Sequence, residues 1–147
     1  MPDGTRDTPL LDDQLCFALY SAMNALGRAY APLLEPLGLT YPQYLAMLAL
    51  WERDGPTVKA LGQRLFLDSG TLTPLLKRLE VAGLLRRMRD PSDERLVRLH
   101  LTGAGHALRE KARGIPGRLA CAMDLSPEGI GGLRDALVRL REALRAA

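Results

Sequence analysis

The chain has 147 residues, a formal net charge of +3, 47% hydrophobic residues and 5% aromatic ones. That length suits one ordinary domain or one subunit of an oligomer, and the apolar content excludes a largely disordered chain. So few aromatic rings argue against a stacking platform for single-stranded nucleic acid.

The charge is unevenly placed. Residues 1–56 hold three Lys/Arg against seven Asp/Glu, whereas residues 57–113 hold twelve against six. A basic middle segment points to a polyanionic partner, with a merely solvated helical face as the plain alternative. No apolar run is long enough to cross a bilayer, and the start "MPDGTRDTPLLDD" lacks the basic and apolar regions of a signal peptide. A cytoplasmic location is therefore expected, and there the two cysteines are thiols or a redox pair rather than a structural staple.

In chain order, residues 1–9 are expected to form a flexible N-terminus. From Leu11 to Leu34 apolar residues recur at helical spacing, and Pro32 and Pro36 should end or kink that helix. Thr40 reads as an N-cap with Pro42 in the first turn, opening a helix to about Glu52. A short helix follows over about Val58–Leu65. Leu72, Leu75, Leu76, Leu79 and Ala82 then give helical spacing, with Gly83 as the stop. Pro74 leaves two options, a helix starting near Thr73 or one with distorted first turns.

Beyond Gly83 the period changes. "LLRRMRD" and "RLVRLHL" flank "PSDE", which predicts a β-hairpin. Thr102 restarts a helical pattern that contains Pro116, with Cys121 placed after a helix. Ser126, followed by Pro127 and Glu128, caps a final helix through Leu144. The expected fold is thus mainly α with a small β-hairpin wing, a winged helix-turn-helix.

In that arrangement the helix after the turn offers Ser69, Thr71, Thr73, Lys77 and Arg78 to a major groove, short hydroxyls to base edges and cations to phosphates. The hairpin adds Arg86, Arg87, Arg89, Arg95 and Arg98, with Arg95 beside the tip, where a thin ribbon can enter a minor groove. His100 and His106 have no third ligand at suitable spacing. No metal and no cofactor are expected.

"LDSGTLTPLLKRLEVAGLLRR" followed by "RDPSDERLVRLHLTGAG" resembles the recognition helix and wing of MarR-type repressors, with Asp93-Glu94-Arg95 as the wing signature. "DDQLCFALYSA", a downstream Tyr30 and "LTYPQYLAMLALW" are similar to the organic-hydroperoxide-sensing members of that family. The resemblance implies a single domain over residues 10–147. Its winged helix-turn-helix would span about 40–101, with dimerisation helices at 10–37 and 102–147. It also implies a homodimer on a pseudo-palindromic operator. The family's sensor cysteine maps onto Cys16, its thiolate held by tyrosines of the other subunit that map onto Tyr30 and Tyr41. A second cysteine, used for an intersubunit disulfide, maps onto Cys121. Operator release on oxidation by an organic hydroperoxide is the implied function.

Elementary geometry bears on this. Cys16 and Tyr30 are 14 residues apart, so on one straight helix they share nearly one face but stand about 21 Å apart along the axis. Any hydrogen bond between them must come from another chain or a folded-back segment. Phenolic donors would favour the thiolate, which is the species that attacks an O–O bond. Leu15, Phe17 and Leu19 would supply apolar surroundings suited to an organic oxidant. Two alternatives stay open: a related repressor released by a small phenolic or aromatic ligand, with the cysteines incidental, and a thiol peroxidase.

Overall fold

The structure, a computed structural model, describes residues 9–147, so residues 1–8 of the expected N-terminal arm lie outside it. The chain divides into two compact units, one running through Lys111 and one over Ala112–Ala147.

The first unit opens with a 3-10 turn at Leu11–Asp13 and then α1, Leu15–Leu34. The single helix expected from Leu11 is interrupted because Gln14 is extended and its side-chain amide donates to the Leu10 carbonyl at 3.1 Å. Pro32 does not end α1. The helix continues to Leu34, the proline forfeiting one backbone bond, and a 3-10 turn over Glu35–Leu37 with Pro36 then reverses the chain.

Helix α2, Tyr41–Glu52, starts at Thr40 with a reciprocal capping box: Gln43 N–H donates to Thr40 Oγ1, and Thr40 N–H donates to Gln43 Oε1 at 2.9 Å. It is the central helix of the unit, with Tyr44, Ala46, Met47, Ala49 and Leu50 buried. Thr57 caps α3, Val58–Leu65, and Asp68 caps α4, Ser69–Val81, by accepting from Thr71 N–H at 2.8 Å. Of the two options for α4, the earlier start is the observed one. Pro74 sits on its exposed side, and the lost bond would have gone to the carbonyl of Gly70, itself exposed to water.

Leu72, Leu75, Leu76 and Leu79 form one buried side of α4, packed against α2 and α3. Gly83, at φ 77°, turns the chain into β1, Leu85–Asp90, which pairs antiparallel with β2, Asp93–Leu101. Leu85, Leu99 and Leu101 anchor the base of the hairpin in the core. The hairpin is also stitched to the loop before α3: Gly55 N–H donates to the Leu99 carbonyl at 3.0 Å, and Leu99 N–H to the Pro56 carbonyl at 2.9 Å. Helix–turn–helix and ribbon are therefore one rigid piece, a winged helix-turn-helix. Helix α5, Gly103–Ala112, follows, with Thr102 Oγ1 accepting from Gly105 N–H at 3.0 Å.

In the second unit, Pro116 does not lie within a helix continued from Thr102. It occupies the first turn of a separate helix, α6 at Ile115–Ala122, where a missing N–H leaves no partner unsatisfied. Cys121 is in the last turn of α6 rather than after it. Ser126 Oγ accepts from Gly129 N–H at 3.0 Å and opens α7, Pro127–Ala146, a helix of 20 residues that buries none of them.

Candidate functional site

Two groups of residues carry chemistry. The first is the exposed side of α4, opposite its four leucines, where Ser69, Thr71, Thr73, Lys77 and Arg78 all face solvent. A helix that buries one side and offers hydroxyls and cations on the other can lie in a groove and reach both base edges and phosphates.

The wing adds to this surface selectively. Arg95 is gripped by Asp93: its Nε and Nη2 donate to the two carboxylate oxygens at 3.0 and 3.1 Å, and its backbone N–H donates to Oδ1 at 3.1 Å. The Arg95 side chain remains 88% exposed, so Asp93 aims the guanidinium outward without covering it. Those same bonds hold the Asp93 carboxyl below the usual carboxylate range. Arg89 spans the hairpin, donating to the Glu94 carbonyl at 2.8 Å, and Arg87 pairs with Glu80 at 3.4 Å.

Arg98, grouped with the outward arginines on sequence grounds, turns inward instead. It pairs with Asp90, and its Nη1 donates to the Gly55 carbonyl at 2.9 Å, which ties the hairpin to the loop before α3. Hydrogen bonds from the Ser92 hydroxyl and from Arg98 push the Asp90 carboxyl far below its ordinary value. Because the folded-state value is depressed, this contribution is complete above the unfolded carboxylate pKa of about 3.9 and is lost as pH falls below it. The wing should keep constant protection from pH 8 to 5 and loosen in the acid range below; Asp90→Asn should reduce that acid dependence, leaving the part that Asp93 contributes. Amide hydrogen exchange of residues 85–101 across pH reads both.

The second group is thiol and phenol. Cys16 is exposed in the first turn of α1, and Cys121 is exposed in α6; both are free thiols. Leu15 beside Cys16 is exposed, while Phe17 and Leu19 are half-buried. On the one helix α1, Cys16 is about 21 Å along the axis from Tyr30, so Cys16 and Tyr30 of one chain are not hydrogen-bond partners.

Tyr30 meets other tyrosines. The chain reversal between α1 and α2 sets its ring 4.6 Å from that of Tyr41 and 5.9 Å from that of Tyr44, centroid to centroid. Tyr41 and Tyr44 share a face of α2 because they are three residues apart. By its spacing Tyr44 fits helix packing alone, and nothing in the linear pattern marks it as a member of this group. Among the described residues, none of the three hydroxyls has a hydrogen-bond acceptor. Burial, with Tyr41 and Tyr44 alongside, pushes the Tyr30 phenol up to about 12. Burial also raises Tyr41, and burial together with Tyr41 raises Tyr44. All three are neutral donors at physiological pH, waiting for an acceptor. Among the described residues there is no group of three side chains able to hold a metal ion, and no helix long and apolar enough to cross a membrane.

Comparison with known proteins gives a consistent set of relatives. Residues 39–97 match the MarR family. The HTH-type transcriptional regulator TtmR of Methylorubrum extorquens (strain PA1) is 51% identical over 96% of this chain and 67% of its own length. The organic hydroperoxide resistance transcriptional regulator of Bacillus subtilis (strain 168) is 49% identical over 91% of each chain. Of solved structures, AbfR of Staphylococcus epidermidis is similar in more than one state. Reduced AbfR bound to DNA aligns with a TM-score of 0.77 at 33% identity, covering 92% of this chain and 93% of that one. Disulfide-formed AbfR aligns with a TM-score of 0.63 at 33% identity, covering 92% and 90%.

Proposed function

The chain belongs to the MarR family of transcriptional regulators, and from that premise we propose that it is a dimeric operator-binding repressor that senses organic hydroperoxides through Cys16. The observation that carries this reading is the pair of phenols at Tyr30 and Tyr41, which have no acceptor among the described residues and are held out of reach of the chain's own Cys16. A second copy supplies what each half lacks: its thiolate is the acceptor for this chain's phenols. Uncovered apolar side chains on α1 (Leu15, Met23) and on α7 (Leu133, Leu137, Leu144) favour such a dimer. The similarity to the organic hydroperoxide resistance regulator of Bacillus subtilis and to disulfide-formed AbfR supports the same reading.

In this mechanism Tyr30 and Tyr41 of one subunit donate to the Cys16 thiolate of the partner subunit and favour its charged form. The thiolate attacks the terminal oxygen of the hydroperoxide, the O–O bond breaks, and the sulfur becomes a sulfenic acid while an alkoxide leaves and takes up a proton. The Cys121 thiol of the other subunit then attacks the sulfenic sulfur, expelling water and forming an intersubunit disulfide. That link draws helices together and alters the spacing of two recognition helices set one DNA turn apart, so the pseudo-palindromic operator is released. Ser69, Thr71, Thr73, Lys77 and Arg78 engage the major groove. Arg87, Arg89 and Arg95 serve the wing, with Asp93 aiming Arg95.

The test uses the purified full chain treated with cumene hydroperoxide and run on a non-reducing denaturing gel beside an operator gel shift. A dimer band that a dithiol removes, appearing with loss of the shifted operator and reversing with it, is the expected result. A monomer band with an unchanged thiol count, and operator release by a small phenolic ligand instead, would overturn it. Arg95→Ala should lower operator affinity by on the order of tenfold while peroxide oxidation proceeds at the parental rate. Fluorescence anisotropy with labelled operator measures the first, and thiol titration the second. Asp93→Ala should move affinity in the same direction by less, because the cation survives but loses its aim.

A further inference from the structure

The geometry points to Tyr44 as a third phenol of the sensor, a hydrogen-bond donor to the leaving oxygen of the hydroperoxide; this rests on the hydroperoxide-sensing reading above. The Tyr44 side chain belongs to a residue only 2% exposed, and its ring packs 5.9 Å from that of Tyr30. A buried tyrosine ordinarily hands its hydroxyl to an acceptor in the protein. Tyr44 has none among the described residues. Nor is its oxygen among buried unsatisfied atoms, so the hydroxyl reaches solvent at the rim of a buried ring. It is a donor positioned by packing and left open beside two others.

The reaction has a use for a third donor. Tyr30 and Tyr41 are committed to the attacking sulfur. When the thiolate displaces the terminal oxygen, negative charge builds on the oxygen that remains with the organic group, and that alkoxide is a far stronger base than a phenolate. A fixed neutral donor at that oxygen lowers the barrier, and the proton it passes on is replaced from solvent. Leu48, one turn beyond Tyr44 on the same face of α2 and 39% exposed, offers apolar surface to the organic group. Phenols at Tyr30 and Tyr41 thus act on the nucleophile, and the phenol at Tyr44 acts on the leaving group.

The two roles separate kinetically. Second-order rates of Cys16 oxidation are measured for the parent and Tyr44→Phe with cumene hydroperoxide, which leaves as an alkoxide, and with peracetic acid, which leaves as a weakly basic carboxylate. Tyr44→Phe should slow the first by on the order of tenfold or more and the second by less than about twofold. The pH profile of Cys16 alkylation by iodoacetamide should stay in place, since the thiolate keeps both of its donors. Equal slowing of both oxidants, no slowing of either, or a displaced alkylation profile overturns the assignment. A parent protein inert to both oxidants refutes the sensing reading itself, which is a distinct outcome. If Tyr44→Phe does not fold, solvent deuterium effects on the parent serve: an effect with cumene hydroperoxide and none with peracetic acid supports the donor role, and equal effects overturn it.

Discussion

Replacing Cys16 with serine should leave operator affinity near that of the parent and abolish the response to hydroperoxide. The side chain is exposed in the first turn of α1 and remote in sequence from α4 and the wing, so a change of one atom, sulfur to oxygen, disturbs no buried contact. The chemistry, however, depends on that atom. A serine hydroxyl has no accessible anion at neutral pH and no route to a sulfenic acid or a disulfide. Cys121→Ser separates the two stages: Cys16 should still be oxidised, detectable by a sulfenic-acid-trapping reagent, but no covalent dimer should form. Operator binding, trapping and non-reducing electrophoresis on the three proteins together read each stage. A Cys16→Ser protein that still releases the operator on peroxide treatment would move the sensor elsewhere.

The largest effect on the fold itself is expected at Gly105. A Cβ there would lie 2.1 Å from the Leu84 carbonyl oxygen and 3.2 Å from Leu101 Cδ2. The near atom is backbone and cannot rotate away. That carbonyl also accepts from Thr102 N–H at 3.1 Å, and the Gly105 carbonyl accepts from the Trp51 indole at 2.8 Å, so the displacement would strain two further hydrogen bonds. Gly105→Ala should cost about 3 kcal/mol and lower the melting temperature by about 10 °C. Gly103→Ala is the control. It lies two residues earlier on the same helix with nothing within 4 Å of the added carbon, and should be neutral or slightly stabilising. Thermal denaturation of both variants gives the comparison, and equal melting temperatures would contradict the packing argument.

Much of this architecture is legible before any coordinates. Thr40 and Ser126 are readable as caps because capping is a bond between a side chain and a backbone N–H three residues on. The leucine spacing of α4 and the turn at "PSDE" are equally local, and so is the separation of Cys16 from Tyr30 along one helix. The misplacements are of two kinds. Gln14, Pro32 and Pro116 show that a local signal marks a break only to within a few residues, because a helix can tolerate a lost bond on its exposed side or restart around a proline. Arg98 and Tyr44 are different. Arg98 reads as one more basic residue until Asp90 and the Gly55 carbonyl are found beside it. Tyr44 reads as core until the turn after α1 brings Tyr30 against it.

The sequence by itself determined the element order, the caps, the basic surface of α4 and the presence of one thiol near the start of a long helix, all of which follow from interactions within a few residues. Only the tertiary structure decided which cations face outward and that three phenols meet with no acceptor among the described residues. Those facts depend on contacts between segments far apart in the chain, and no periodicity records where a distant partner will be.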